Sequence, residues 1–303
     1  MLGSSLAVIF SCCADNTCCA IIATNLLKVI KEGGVSSVSQ AEINPSLVRM
    51  IFYVSGLVLL FIFEVLWPYR KHVLSKIRRW LDNLGITLLN NILLTLSFAP
   101  VVSAALAYTV RVKTGLFHIF PFHYLIKLFL TVIIMDFLLY IWHLLNHVVP
   151  FFWRFHRVHH SDLNMDVSTA TRFHFGELAI SALIKASLIL LLGADITGIV
   201  VFDVIVMAAA QFQHSSLSLP GMFERWYWLL FVPPSMHRIH HSVIIKERDS
   251  NYGTIFSIWD RLFGTMIKEA DQDKIRIGVG AYPDFNKIRF LSLLLMPATR
   301  KVK

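Results

Sequence analysis

Long apolar runs alternate along this chain with short basic or histidine-rich segments. Leu47 to Trp67 is one such run, closed by Pro68 and a basic stretch. A second extends from about Leu84 to Val110 and a third from about Tyr124 to Leu145. Each is long enough to cross a hydrocarbon layer, which takes about 20 helical residues. Two shorter runs, Leu178 to Leu192 and Ile196 to Phe212, flank Gly193-Ala194-Asp195. They predict a helical hairpin that enters the bilayer and returns. Residues 217–234 place Trp226, Tyr227 and Trp228 beside Glu224 and Arg225, a composition that suits the membrane interface. The late run Phe290 to Met296 is too short to cross and is expected in the interface or docked on the fold. Residues 1–44 are Ser-rich and patchily apolar and read as an extension with a short helix around 18–31. A single membrane domain over 45–267 follows, then a tail over 268–303.

Composition agrees with an all-α integral membrane bundle. Hydrophobic residues make up 56% of the 303 positions, above the share of about 45–50% in soluble domains. The net charge is +9. Its residues gather in loops beside apolar runs, as in Arg70, Lys71, Lys76, Arg78 and Arg79. Cytoplasmic loops facing anionic headgroups look like this. No nucleic-acid motif accompanies the charge, so no nucleic-acid partner is expected. Positive-inside counting puts 69–80 in the cytoplasm. Two crossings then return the chain to that side at His147, and the hairpin returns it near His214. The four cysteines all fall within the first 20 residues, which leaves no disulfide framework and reads as free thiols. The start lacks the basic segment of a secretory signal.

Ten of the 13 histidines lie between positions 143 and 241. His143 and His147 are spaced i,i+4, one face of a helix; Asp136 and Tyr140 extend that stripe. His156, His159 and His160 form H-x-x-H-H, and His237, His240 and His241 repeat it within a nearly identical hexapeptide. His174 and His214 fall between the boxes. On the predicted topology all ten face the cytoplasm, as a metal-binding cap. Neutral imidazole binds iron, zinc, copper or nickel. A metal with an open position needs three or four protein ligands, so eight to ten histidines imply two metals. Oxidising a C–H bond needs a metal that changes oxidation state, which zinc does not. Iron is therefore expected, with copper second. His72, His118 and His123 lie outside the boxes and read as structural. A metal transporter or sensor would string histidines through the membrane depth, and a zinc protease would carry H-E-x-x-H, which is absent.

Metal-bound imidazoles hand their second N–H to a carboxylate or carbonyl. Candidate acceptors are Asp136, Asp162, Asp166, Glu177 and Asp260. Asp136 stands out as an acid within a span, and Tyr140, Asp162 and Arg172 join it as candidate catalytic or supporting residues.

Over roughly residues 45–267 these motifs resemble the fatty acid hydroxylase/sterol desaturase superfamily, in its bacterial-type sterol desaturase-like branch. The resemblance rests on Asn44-Pro45-Ser46-Leu47, Trp67-Pro68-Tyr69-Arg70, Arg79-Trp80-Leu81-Asp82-Asn83, Asp136-Phe137 and Tyr140. It continues through Phe152-Trp153-Arg154-Phe155, both H-x-x-H-H boxes, Asn251-Tyr252-Gly253 and Trp259-Asp260-Arg261-Leu262-Phe263-Gly264-Thr265. It implies a cytosol-facing site for two iron ions and a lipid substrate reached from the bilayer. It carries over as ligands His143, His147, His156, His159, His160, His237, His240 and His241, with His214, and with His174 as a branch-specific match. The sequence departs from the pattern at Leu144, Phe175 and Ser216, where relatives often have Arg, Pro and Asn. No flavin, nicotinamide or haem-attachment motif is found, so an external donor such as a cytochrome or ferredoxin is expected to supply electrons.

Overall fold

The computed structural model describes residues 44–70, 74–299 and 302. The expected helix at 18–31, the four cysteines and His72 lie outside the described residues. Among those described, the chain is helical, with only isolated β-bridges such as Pro68 to Leu217.

Asn44 opens the bundle. Its side chain accepts from Ser46 N at 2.9 Å and caps α1, Pro45–Leu66; Pro45, with no N–H to satisfy, suits the first helical position. The outward side chains of α1, among them Phe52, Val58 and Ile62, are exposed. Apolar side chains on an open helix face suit lipid. The second apolar run is two helices, α2 (Lys76–Ser97) and α3 (Ala99–Val112), bent by 48° across the break. The break falls at Phe98, just before Pro100, whose ring clashes with a preceding carbonyl and removes a helical hydrogen bond. The second apolar run is therefore broken into two helices that together can form one bent span, and α2 begins eight residues earlier than the apolar run. After a single turn at Leu116–Ile119, α4 runs over Tyr124–Val148, capped by His123, and α5 over Pro150–His160. The hairpin is α6 (Phe175–Leu192) and α7 (Ile196–His214). Among the described residues, four helices are long and apolar enough to cross a membrane, or five spans if the bent pair is counted as one.

The helices α1 and α4 pack on α7, and α3 packs on α6. An apolar core joins α3, α4, α6 and α7 through Val132, Met135, Ile189 and Ile199. Two turns meet at the end away from the histidines. Gly115 and Gly193 have φ of 99° and 67°. A Cβ on Gly115 would sit 2.3 Å from the backbone nitrogen of Gly193, so only glycine fits either position.

The opposite end carries a cap. Here α8 (Gly221–Tyr227) buries no residue and exposes Met222 and Trp226, in keeping with an interfacial segment. α9 is Pro234–His240 and α10 is Phe290–Leu295. α10 docks rather than floats: Leu293 and Met296 are buried with Ile86, Val158 and Ile288. Trp153 Nε1 donates to the carbonyl of Val302 at 2.8 Å, tying that residue to α5.

Candidate metal centre

His143 and His147 end α4, one turn apart and on one face. Val149 then turns the chain, Pro150 starts α5, and α5 folds back to carry His156, His159 and His160. In such a box the first and third histidines are four apart and share a face. The middle one is turned by about 100° from its neighbour, one residue's rotation in an α-helix. α9 repeats the box on the other side, and His214 is the last residue of α7.

The histidines assemble into two groups. His143, His147, His156, His160 and His240 form one; His159, His214, His237 and His241 form the other. Within each group, nitrogens able to bind a metal all lie within 4.8 Å of one another. Each box gives its first and third histidines to one group and its middle histidine to the other. The rings of His160 and His241 stack across the divide, with centroids 4.4 Å apart. All nine histidines sit at one end of the bundle, not along its depth, which does not favour ion transport.

Four rings of the first group have Nδ1 tied to oxygen. His143 donates to the carbonyl of Tyr252 at 2.7 Å and His240 to that of Ser250 at 2.6 Å. His156 faces Glu177 Oε1 at 2.9 Å, and His147 faces Asp249 Oδ1 at 3.4 Å. A proton held on Nδ1 leaves Nε2 as a bare lone pair. The Nε2 atoms of His143, His147 and His240 are buried with no hydrogen-bond partner. In the second group His214 Nδ1 donates to the carbonyl of Ala210 at 2.6 Å. Its Nε2 lies 3.0 Å from His159 Nε2 and 2.9 Å from His237 Nε2, which is 3.1 Å from His241 Nε2. Two imidazoles at right angles on one ion, each at about 2.1 Å, would be separated by about 3 Å. Burial, and then the neighbouring rings, hold His159, His160, His237, His240 and His241 well below the ordinary imidazole range. Rings that stay neutral keep the lone pairs a metal needs. Converging, neutral imidazole nitrogens fit metal binding in each group, and among the described residues neither group includes a thiolate or carboxylate.

His174 stands apart. Its Nδ1 accepts from Gly176 N at 3.0 Å, capping α6, and its Nε2 faces the carbonyl of Leu294 at 3.2 Å. With both nitrogens engaged it belongs to neither group, so the expectation of a ligand at this position is corrected. Asp136, Tyr140, Asp162 and Arg172 touch no histidine of either group and frame the site instead. Asp136 accepts from Ile255 N, Phe256 N and Trp259 Nε1, which fixes the loop that carries the Tyr252 carbonyl. Tyr140 bonds Thr265 at 2.9 Å. Asp260 accepts from Tyr252 N and Gly253 N, both at 2.8 Å. Asp162 accepts from Nε and Nη2 of Arg79 at 2.7 Å, and Nη1 donates to Asp166 at 2.7 Å. Arg172 donates to the carbonyls of Val158 and Ile288, to Asn83 and to Ser161. Of the five carboxylates expected to support imidazoles, only Glu177 does so directly. Asp249 and the Ser250 and Tyr252 carbonyls carry no signal in the sequence. His118 and His123 lie at the far end of the bundle.

A cavity of about 300 Å³ reaches both groups and is lined by residues of α4, α6 and α7, among others. It touches His143 and His156 of one group and His159, His214 and His237 of the other. Leu139, Trp142, Phe173, Leu178, Val206 and Met207 give it an apolar wall.

Comparison with known proteins follows the same segment. Residues 128–265 match the family model for fatty acid hydroxylase. The chain is 27% identical over 259 residues to the ornithine lipid hydroxylase OlsE of Rhizobium tropici, covering 83% of this chain and 76% of that protein. It is 34% identical over 143 residues to alkylglycerol monooxygenase of Caenorhabditis elegans, covering 46% of this chain and 26% of that protein. It is 31% identical over 137 residues to a cholesterol 25-hydroxylase-like protein of Danio rerio, covering 44% of this chain and 53% of that protein. No solved structure matches the chain.

Proposed function

We propose that this chain, a member of the fatty acid hydroxylase superfamily, is a multi-pass membrane oxygenase holding two iron ions, one per histidine group, and oxidising a C–H bond of a lipid. The observation that carries the reading is the pair of buried imidazole groups meeting on one apolar cavity. Bound iron would supply dioxygen reduction and C–H cleavage. Hydroxylation balances as R–H, dioxygen, two electrons and two protons giving R–OH and water. Desaturation takes two hydrogens from adjacent carbons and yields two waters, on the same ligands.

The chain's own residues do the rest. Nine imidazoles hold the ions, and Tyr252, Ser250, Glu177 and Asp249 keep four of the rings in the binding tautomer. The apolar wall keeps bulk water from the reacting carbon. The cavity lies among membrane-spanning helices, so lipid would enter sideways from the bilayer. The relatives named above are hydroxylases or monooxygenases of different lipids, which supports the lipid class and leaves its member open. Exposed Arg78, Lys246, Arg276 and Lys287 keep the cap basic. That charge suits an acidic electron carrier, a cytochrome or ferredoxin, arriving from the cytoplasm.

The test is direct. The full chain is purified in mild detergent without oxygen, its metal is counted, and it is reconstituted with bilayer lipid, reductant and carrier. Two irons per chain and a dioxygen-dependent hydroxylated or unsaturated lipid are expected. Reproducible binding of one metal, or turnover supported by zinc, overturns the reading.

A further inference from the structure

The cavity wall is not wholly apolar, and its polar atoms are left open. Asn146 lies on α4 between the ligand-bearing positions His143 and His147, and Gln213 lies beside His214 on α7. Both side chains line the cavity. They are 1% and 2% exposed, yet Asn146 Oδ1 and Gln213 Oε1 have no hydrogen-bond partner. Glu177 adds a third open acceptor. Its Oε1 faces His156 at 2.9 Å, while Oε2 is buried without a partner. Asn83 bonds Ser168 and Arg172, and Asn251 bonds Met236 and Ile267, and the Asn90 amide reaches the carbonyl of Phe173 through its nitrogen. Buried polar atoms without a partner destabilise a fold and are rare in native proteins. Three such amide or carboxylate oxygens in the lining of one cavity, beside both histidine groups, form a site prepared for something polar.

A plain hydrocarbon segment offers those atoms nothing. A hydroxyl or a secondary amide offers one donor to a carboxylate or amide oxygen, and an acceptor to an amide NH2 group. The cavity, at about 300 Å³, is at the small end of the range for ligand sites, so it encloses one part of a lipid and not the whole molecule. We propose, building on the oxygenase reading, that Asn146 and Gln213 form a polar subsite that holds a hydroxyl or amide N–H of the lipid. The oxidised carbon then lies within a few bonds of that group, near the headgroup or backbone, and not in mid-chain. Asn146 and Gln213 act as specificity residues: they fix which carbon faces the metals by anchoring the polar group beside it.

The experiment measures binding without turnover. The full chain, iron-loaded and anaerobic in detergent, is immobilised for scintillation proximity with tritiated N-methyldodecanamide. Unlabelled 1-dodecanol and dodecane serve as competitors of equal chain length. The amide is expected to bind, dodecanol to displace it, and dodecane to compete at least tenfold more weakly. The order of amide and alcohol shows which of the two groups the subsite prefers. Asn146→Leu and Gln213→Leu are each expected to weaken amide binding at least tenfold while dodecane competition stays within threefold. Because neither amide is paired within the protein, both variants should keep or raise Tm; an amide with a structural role would lower it. Dodecane competing as well as dodecanol, or leucine variants binding the amide within threefold of the parent, overturns the subsite. Should either leucine variant fail to fold, the parent's preference among the three probes decides alone. Iron-loaded, active protein without that preference would sink the subsite and leave the oxygenase reading intact. Protein that binds no iron but shows Asn146-dependent amide binding would do the reverse.

Discussion

His159 and His240 hold the same middle place in two near-identical boxes, and each sits in the group that holds the outer two histidines of the other box. His240 lies with His156 and His160, and His159 with His237 and His241. Their ring centroids confirm the crossing: His240 is 4.7 Å from His160, and His159 is 4.7 Å from His241. Neither site can be completed by one box. α5 and α9 must pack together first, so ion binding and assembly of the cap are linked.

Single removals should therefore subtract ions crosswise. His240→Ala should weaken the site that holds His156 and His160, and His159→Ala the site that holds His237 and His241. Each variant is expected to fall from two irons per chain toward one and to lose at least 100-fold in turnover. Iron counting with Mössbauer spectra of both variants checks this, since the two should retain different sites. Identical residual spectra would contradict the crossed arrangement.

His174→Ala should behave differently. Its ring caps α6 and reaches Leu294, so the expected loss is that of a helix cap, about 0.5–2 kcal/mol. Iron content should stay at the parent value and turnover within a few-fold, with a lower Tm. Loss of one iron would return His174 to the ligands.

Much of this was legible before any coordinates. Repeated boxes and i,i+4 spacing bring histidines together because helical periodicity is local. The same holds for the spans, where long apolar runs leave little choice. What was not legible depends on contacts between distant segments. The crossing of His159 and His240 follows from how α5 meets α9. Asp249 sits in a loop with no motif of its own, and carbonyls such as those of Ser250 and Tyr252 are invisible in any sequence because every residue has one. His174 shares its residue type with the ligands but not its environment, and only its bonds to Gly176 and Leu294 separate it from them. Arg79, Asp82 and Asn83 were noticed as a motif. Their work, tying α2 to Asp162, Arg289 and Arg172 beneath the cap, needed the structure.

The ion pair Arg79–Asp162 should be a main support of that cap. Both side chains are 1% exposed, and removing one partner leaves a buried charge. Arg79→Met is expected to cost about 3–5 kcal/mol. Burial alone would raise the Asp162 carboxyl, but the adjoining Arg79 guanidinium overcomes this and holds it well below the usual carboxylate range. A depressed folded pKa gives stability that is present above the unfolded value, about 3.9, and lost as pH falls below it. The Tm difference between the parent and Asp162→Asn should stay level from pH 5 to 8 and shrink only under about pH 4. A difference that changes between pH 6 and 8 would assign the effect to other groups.

Glu177 and Asp249 orient rings without binding metal. Glu177→Ala and Asp249→Ala should each weaken iron retention against a chelator by about 10–100-fold. Glu177→Ala is expected to have the larger effect, because its 2.9 Å contact with His156 is shorter than the 3.4 Å contact of Asp249 with His147. Chelator titration with iron counting ranks the two. Equal retention in parent and Glu177→Ala would mean that His156 is oriented by its neighbours alone.

The side of the membrane on which the cap is expected to lie is predicted from charge and can be measured. Exposed Arg78, Lys246, Arg276 and Lys287 belong to the cap, whereas Arg111 and Lys113 are the exposed cations beside the far turns. The excess of basic residues points the cap to the cytoplasm, where reduced carriers are found. Ser75 and Ile245 are exposed on the cap, and Lys113 is exposed at the other end. In a background without Cys12, Cys13, Cys18 and Cys19, the single variants Ser75→Cys, Ile245→Cys and Lys113→Cys can be treated in intact cells with an impermeant maleimide. Lys113→Cys should label at once, and the other two only after lysis. Reversal of all three would turn the protein over in the membrane and leave the fold untouched. Labelling of positions 75 and 245 from opposite sides is the more serious outcome. It would separate α2 from the segment that follows His241, and with it Arg79 from the second histidine box.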